Sequence, residues 1–300
     1  MKVSVVMPCH NNGALMEHAL DSVASQIHPV HEVIVVDDAS IDDSADRAAR
    51  HPAVTRVIRA NHRNAAAARN EGLARATGDW VAFLDADNRW HTDHLTRAAA
   101  LLAGGSDCLF VAPSLASGMP DTGKSEKREG FPAVDDVRGL PDEAFVQWRL
   151  RFRWGFPTSG LVASRYRLAE VGGFNVEQLR RHDFELVMRL IVGHTWCATP
   201  WATWWSRPPR ASDISADSPR CAYFALRALT LNHGAYHGET YDRLLRQEAR
   251  KALVMALRSG NADLLRDATT LARPYLPFSD RAVFSMLTRV SERLRRRMGY

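Results

Sequence analysis

Short runs of apolar residues alternate along the first part of the chain with longer segments in which apolar residues recur at helical spacing. The runs predict strands at Val3–Met7, Val33–Val36, Val54–Ile58, Trp80–Leu84 and Cys108–Ala112. The segments between them predict helices at 14–25, about 42–50, 65–76 and 95–102. This alternation is typical of an α/β fold, a doubly wound (Rossmann-like), mostly parallel sheet with helices on both faces.

The alternation of apolar runs and helical segments is interrupted after residue 113 and ends at about Pro219. Residues 114–142 are polar and rich in glycine and proline, which predicts a long loop. Further elements are then predicted: a helix at 143–151, a strand at 161–163, a helix at 165–171 and a helix from about His182. After Pro219 helix follows helix, with Asn261 as a predicted cap and a last helix at about 281–297. We therefore expect one domain at 1–212, with halves at 1–113 and 114–212, and an α-helical C-terminal region at 213–300.

Composition narrows the class of protein. With 300 residues, 46% hydrophobic and 24% charged, the chain resembles an ordinary soluble globular protein. The N-terminal apolar run is too short for a signal peptide, no run reaches membrane-spanning length, and the four cysteines lack zinc or disulfide spacing. We expect a cytoplasmic protein without a nucleic-acid partner. The net charge is +5, and arginine supplies nearly all of the positive charge. Arginine suits phosphate contacts, but the nucleotide composition of the gene can produce the same bias and is the favoured explanation.

Polar residues follow three of the predicted strands. They are Pro8 to His10, the pair Asp37 and Asp38, and the pair Asp85 and Asp87. In an extended chain the side chains of Asp85 and Asp87 would point the same way. Ligands bind at the carboxyl edge of such sheets. Paired carboxylates there suit a divalent cation that holds a diphosphate. For Asp37 and Asp38 the alternative is helix capping or turn chemistry with Ser40. For Asp85 and Asp87 it is capping of the next helix, although Thr92 can cap that helix alone.

A series of motifs then appears in order. They are Met7-Pro8, Val36-Asp37-Asp38-Ala39-Ser40-Ile41-Asp42, Ala68-Arg69-Asn70-Glu71-Gly72, Phe83-Leu84-Asp85-Ala86-Asp87, Val171-Gly172-Gly173-Phe174 and His182-Asp183. With these motifs residues 1 to about 210 resemble the family 2 glycosyltransferases, which have the GT-A fold and use nucleotide-sugar donors. The resemblance implies an inverting, metal-dependent transfer from a UDP-sugar to a hydroxyl of a glycan or lipid-linked glycan.

The resemblance also implies roles for individual residues. The residues that it assigns to donor binding are Pro8, His10, Asp37, Asp38, Arg69, Asp85 and Arg207. An acid of the 37–38 pair would accept the uracil ring N–H, and Asp87 with Asp85 would hold Mn²⁺ or Mg²⁺. Asp183 would be the general base. On spacing alone, the alternative for Asp183 is stabilisation of a helix N-terminus.

The chain departs from the family pattern at three positions. Asn64 stands where a glycine is frequent, and asparagine tolerates the same left-handed backbone. His182 replaces the acidic residue usual before the base, and Pro209 replaces a histidine metal ligand. Arg207 or Arg210 is therefore a candidate to neutralise the diphosphate, with a solvated loop charge as the alternative.

Other features have simpler interpretations. The histidine pairs 28/31 and 91/94 lack the frame of a metal site and are interpreted as solvated surface residues. The basic segment 289–297 is a candidate peripheral contact with anionic lipid at the inner face of the membrane. A terminal helix docked on the helical region is the favoured alternative.

Two rival functions remain open. A nucleotidyltransferase also places acids at strand ends, but it usually carries a glycine-rich loop with lysine near the first strand, which this chain lacks there. A catalytically silent member would bind nucleotide-sugar or glycan without turnover. Asp183→Asn separates that case from an enzyme, which would lose turnover and keep donor binding.

Overall fold

The computed structural model describes residues 1–115, 125–127, 137–140, 142–152, 157–206, 218–282, 284–286 and 288. The chain divides into two compact units. One is formed by Met1–Glu177 with His182–Pro208, and the other by Gln178–Arg181 with Pro209–Tyr300.

The first unit is α/β. Its strands are β1 Val3–Cys9, β2 Glu32–Asp38, β3 Arg56–Ala60, β4 Trp80–Phe83, β5 Asn88–Trp90, β6 Leu109–Val111, β7 Glu126–Lys127, β8 Val137–Leu140, β9 Leu161–Ser164, β10 Trp196–Ala198, β11 Trp201–Ala202 and β12 Trp204–Ser206. Its helices are α1 Gly13–Ala24, α2 Ser44–Arg50, α3 Ala65–Leu73, α4 His94–Leu102, α5 Asp142–Phe152, α6 Arg165–Glu170 and α7 His182–Ile191.

The main sheet has the strand order β3-β2-β1-β4-β9-β6-β10-β8. Strands β3, β2, β1 and β4 run parallel, as do β6 and β10. Strand β9 is antiparallel to both β4 and β6, and β8 is antiparallel to β10. The predicted α/β fold with a mostly parallel sheet is confirmed. Strand β1 lies in its middle because its residues are apolar on both faces, as parallel strands covered on two sides require.

Helix α3 lies unusually close to the sheet. It packs on β1 and β2, and its residue Gly72 leaves no room for a side chain. A Cβ on Gly72 would lie 2.5 Å from Val6 Cγ1 and 3.3 Å from Val36 Cγ2. The small residues of the Ala65–Leu73 segment therefore fix the height of this helix above the strands, and with it the position of Arg69.

The second unit is helical, as predicted. It contains α8 Ser218–Leu231, α9 Glu239–Arg258 and α10 Ala262–Ala272, and helical turns continue at 278–282 and 284–286. Asn261 caps α10, since its side chain accepts a hydrogen bond from Leu264 N at 3.0 Å. The basic segment 289–297 lies outside the described residues, and its lipid contact stays a prediction. None of the helices described has the length and apolarity needed to cross a membrane.

The interpretation of His91 and His94 as surface residues was wrong. Their side chains are 3% and 0% exposed. The His94 ring stacks on Trp90 at 4.6 Å, and its Nδ1 lies 2.7 Å from Thr203 Oγ1. Burial lowers the pKa of His94 to about 3, so this ring is neutral. Strand β5, which carries Trp90, has no counterpart in the sequence prediction.

Candidate active site

The polar residues predicted at three strand ends lie at one edge of the sheet. Strands β2, β1 and β4 are neighbours, with Cys9 opposite Asp37 and Val6 opposite Phe83. Asp37 and Asp38 are buried, whereas His10 just beyond β1 is exposed and Pro8 is half-buried. Asp85 follows β4 by two residues. Buried and exposed side chains therefore lie together at the carboxyl edge of the sheet, the usual ligand position in such sheets.

The segment Asp85–Asn88 is a turn and not an extended strand. Strand β4 ends at Phe83, and Asn88 N donates to Asp85 O at 2.9 Å. Ser159 holds the turn, because its Oγ lies 3.1 Å from Asp85 N and 2.8 Å from Asn88 Nδ2. Asp85 and Asp87 therefore do not lie in an extended strand, and the alternation of side chains that was expected to align them does not apply. Ser159 comes from a distant segment and gave no local signal.

Asp85 does not cap the following helix, α4. The N-cap residue of α4 is Asp93, without a side-chain cap bond, and Leu95 N donates to Gln26 Oε1 at 3.1 Å. Thr92 is not the cap either. Asp85 and Asp87 are both partly exposed, and Asp85 is paired with Arg69.

Asp38 organises the loop between β3 and α3. Its carboxylate accepts backbone N–H groups from His62 at 2.6 Å, Arg63 at 2.9 Å and Asn64 at 2.8 Å. Arg63 has the left-handed backbone with φ 51°, and Asn64 is extended with φ −151° and accepts from Ala66 N. The left-handed residue is therefore Arg63, and the expectation for Asn64 was wrong. Asn64 serves instead as the N-cap of α3.

Asp38→Asn is expected to lower the free energy of unfolding by about 2–4 kcal/mol. The amide carries less negative charge and turns one acceptor of a buried side chain into a donor, which leaves the loop N–H groups poorly paired. Urea denaturation measures the change. The control is Asp46→Asn, whose exposed ion pair with Arg59 predicts a change within about 0.5 kcal/mol. Equal stability of the two variants would show that the carboxylate does not hold the loop.

The loops after β1 and β2 are tied to each other. Asn11 N donates to Ser40 Oγ at 2.9 Å, and Ile41 N donates to Asn11 Oδ1 at 2.9 Å. His10 Nδ1 donates to Asp38 O at 2.7 Å, and Cys9 Sγ donates to Asp37 Oδ1 at 3.3 Å. Ser40 thus bonds to the loop after β1, whereas the alternative interpretation of the acid pair had placed it in a turn with Asp37 and Asp38.

Left-handed backbone recurs along this edge. Asn11 has φ 53°, Ala39 φ 61° and Arg63 φ 51°, and each follows the end of a strand. An alanine or arginine in this region is strained, and such strain persists where the surrounding bonds determine the loop completely. Ligand sites are a common place for it.

Arg69 connects two of the predicted site segments. Its side chain is buried at 4% exposure, and its NH2 group lies 2.5 Å from Asp85 Oδ1. Its NH1 group donates to His182 Nε2 at 2.9 Å and to Ala65 O at 3.3 Å. Burial and the Arg69 charge lower the pKa of His182 to about 4, so the imidazole is neutral near pH 7.

The glycine motif before α7 is docked on α3. Asn70 Oδ1 accepts from Phe174 N and Asn70 Nδ2 donates to Phe174 O, both at 2.8 Å. Gly173 has φ +70°, and a Cβ there would lie 2.6 Å from Asn70 Oδ1. Glycine is required by both the backbone and the close approach.

Asp183 lies in the first turn of α7, half-buried, beside His182. Its Oδ1 accepts from Phe184 N at 2.8 Å, while Phe184, Val187 and Ile191 of the same helix are buried. The proton-acceptor role and the helix-terminus role are both compatible with this placement.

The carboxylates after β4 fit a hard divalent cation. They offer oxygen ligands on a partly exposed turn, and Mg²⁺ or Mn²⁺ completes its coordination with phosphate oxygens and water. Among the residues described, no group of three or more His, Cys, Asp or Glu side chains is placed to hold a metal. Arg207, Pro209 and Arg210 lie outside the described residues.

Solved structures share this fold. TarS 1–349 of S. aureus in complex with UDP-GlcNAc matches with a TM-score of 0.71 and 19% identity, over 92% of this chain and 82% of that chain. The mannosyltransferase PcManGT of Pyrobaculum calidifontis, in complex with GDP-Man and Mn²⁺, matches with a TM-score of 0.60 and 21% identity, over 96% and 86%. At these identities the likeness concerns the fold, which is that of the GT-A glycosyltransferases.

The relatives in sequence are named as glycosyltransferases. The amylovoran biosynthesis glycosyltransferase AmsB of Erwinia amylovora is 31% identical over 62% of this chain and 62% of its own length. The putative teichuronic acid biosynthesis glycosyltransferase TuaG of Bacillus subtilis is 38% identical over 32% of this chain and 39% of its own length. The chain thus matches less than two thirds of the length of either relative. The family profile described as Glycosyl transferase family 2 matches residues 4–168, more than half of the chain, and the chain therefore belongs to this family of glycosyltransferases.

Proposed function

We propose that the chain is an inverting glycosyltransferase that moves a sugar from a nucleotide-sugar donor, a UDP-sugar, to a hydroxyl of a glycan or lipid-linked glycan. One observation carries the proposal. Arg69 bonds to both Asp85 and His182. Asp85 follows the carboxyl end of β4, and His182 precedes Asp183 in the chain. One buried side chain thereby links the proposed donor-binding edge to the residue that precedes the candidate base.

The donor nucleoside is assigned to the ends of β1 and β2. Asp38 already accepts three backbone N–H groups, so the contact with the uracil N–H falls to Asp37. The Pro8 backbone and the exposed His10 ring would border the base. A UDP-GlcNAc complex of TarS supports the choice of uridine.

The diphosphate is assigned to the turn after β4. Asp87, together with Asp85, would hold Mn²⁺ or Mg²⁺, which supplies positive charge against the leaving diphosphate. The complex of PcManGT with GDP-Man and Mn²⁺ supports the choice of a divalent cation. Arg207 remains a candidate for a direct diphosphate contact.

The transfer itself needs one proton acceptor. The acceptor hydroxyl oxygen forms a bond to the anomeric carbon, and the bond from that carbon to the diphosphate oxygen breaks with its electron pair. The hydroxyl proton passes to the Asp183 carboxylate. Attack from the face opposite the leaving group inverts the anomeric configuration.

The acceptor class rests on the relatives. The names of AmsB and TuaG place them in the biosynthesis of amylovoran and, putatively, teichuronic acid. A saccharide hydroxyl is therefore the proposed acceptor. Family membership removes the reason for the nucleotidyltransferase alternative.

A donor screen tests the proposal. The chain is incubated with UDP-, GDP-, CDP- and dTDP-sugars in Mn²⁺, Mg²⁺ or EDTA, and release of nucleoside diphosphate is measured with and without glycan acceptors. Metal-dependent release of UDP is expected. Calorimetric binding of a UDP-sugar without release would support the silent-member alternative, and the absence of both binding and release with every donor would contradict the proposal.

A further inference from the structure

Among the described residues, three acceptors contact the buried Arg69 guanidinium. They are the Asp85 carboxylate, the His182 ring nitrogen and the Ala65 carbonyl oxygen. Among the residues described, Asp85 is the carboxylate within ion-pair distance of Arg69. A guanidinium can only donate hydrogen bonds, so His182 Nε2 must be the acceptor. The ring therefore carries its proton on Nδ1.

We propose that His182 is a positioning residue, which holds Arg69 against Asp85 through its neutral Nε2 atom. The inference deepens the proposed function and rests on it. The donor-binding edge after β4 and the first turn of α7 then form one hydrogen-bonded unit. Because its Nε2 lone pair is used by Arg69, His182 is not itself the proton acceptor.

Packing fixes the orientation of the His182 ring. The ring meets Phe174 edge-on, with centroids 5.8 Å apart, and Phe174 in turn meets Phe83 of β4 edge-on at 5.1 Å. The Arg69 guanidinium lies 5.6 Å from the Phe174 ring centroid. Phe174 is itself held by the two bonds to Asn70. Both partners of the hydrogen bond thus pack on one immobilised phenyl ring.

The charge of the residue at this position also matters. A carboxylate at 182 would compete with Asp85 for the guanidinium, whereas a neutral imidazole leaves the positive charge of Arg69 to Asp85 alone. The departure from the acidic residue usual in the family therefore strengthens the Arg69–Asp85 pair.

Two substitutions separate the hydrogen bond from the packing. His182→Gln removes the ring but offers an amide oxygen as acceptor at a similar reach, and His182→Phe keeps the ring on Phe174 but offers no acceptor. The affinity for UDP in Mn²⁺ is measured by calorimetry, with kcat and donor KM alongside and melting temperature as a check on folding. His182→Phe is expected to raise the Kd for UDP about tenfold or more, and His182→Gln to stay within about threefold of wild type.

A double-mutant cycle identifies Arg69 as the partner. In an Arg69→Met background, His182→Phe is expected to cause no further loss of UDP affinity, because the bond is already absent. If His182→Phe fails to fold, His182→Ala takes its place in both comparisons.

Three results would overturn the inference alone: wild-type UDP affinity in the variant without an acceptor, an equal loss in His182→Gln, or a full additional loss in the Arg69→Met background. Absence of UDP binding by the wild-type chain would overturn the proposed function and this inference with it.

Discussion

Asp183→Asn is expected to lower kcat by about 10²- to 10⁴-fold while the affinity for UDP stays within about twofold. The amide has nearly the same shape as the carboxylate but cannot take the proton from the attacking hydroxyl. Single-turnover transfer with saturating donor measures the chemical step, and calorimetry measures UDP binding. A loss confined to the chemical step identifies a group that acts in the transition state.

The competing role of Asp183 predicts a different pattern. If its carboxylate only stabilises the N-terminus of α7, the substitution lowers the melting temperature and leaves turnover of the folded protein intact. Asp46→Asn is the matched control, since Asp46 is likewise an acid in the first turn of a helix, α2. Asp46→Asn is expected to keep full activity. Comparable turnover in both variants would exclude Asp183 as the general base.

Asp87→Asn is expected to reduce metal-dependent turnover by about 10²- to 10³-fold, since the cation supplies several kcal/mol of charge stabilisation. The affinity of the UDP-bound protein for Mn²⁺, measured by electron paramagnetic resonance, should fall in parallel. Asp85→Asn is a less specific change, because it also removes the partner of the buried Arg69.

Asp79→Asn is the control for Asp87→Asn. Asp79 is exposed and precedes the amino end of the same strand, β4, so it lies at the opposite edge from the proposed site. Its substitution should change neither Mn²⁺ affinity nor turnover. Unchanged Mn²⁺ affinity in Asp87→Asn would show that the cation is bound elsewhere or not at all.

Much of the sheet could be predicted because its central strands are buried on both faces. Val33–Val36 and Trp80–Leu84 are continuous apolar runs, which a local pattern reveals directly. Strand β5 was missed because it is short and pairs antiparallel with β12, more than a hundred residues away. The local sequence does not indicate such a distant partner. It likewise does not indicate that Ser159 bonds to the Asp85–Asn88 turn.

The candidate site was predicted as a set of strand ends, and its internal bonds were not. The order of β2, β1 and β4 follows from the fold, so the polar residues at their carboxyl ends could be expected at one edge. That Asp38 is occupied by the loop at 62–64, and that Arg69 reaches His182, are long-range facts of side-chain geometry. His94 was misassigned because a histidine gives no sign in sequence of whether tertiary packing buries it.

A crystal structure of the chain with UDP and Mn²⁺, with data collected for the manganese anomalous signal, tests the central claim most directly. The account predicts uracil beside Asp37 and His10, and an anomalous peak within about 2.3 Å of an Asp87 oxygen that also touches the diphosphate. Nucleotide bound away from the ends of β1, β2 and β4, or manganese remote from Asp87, would contradict it.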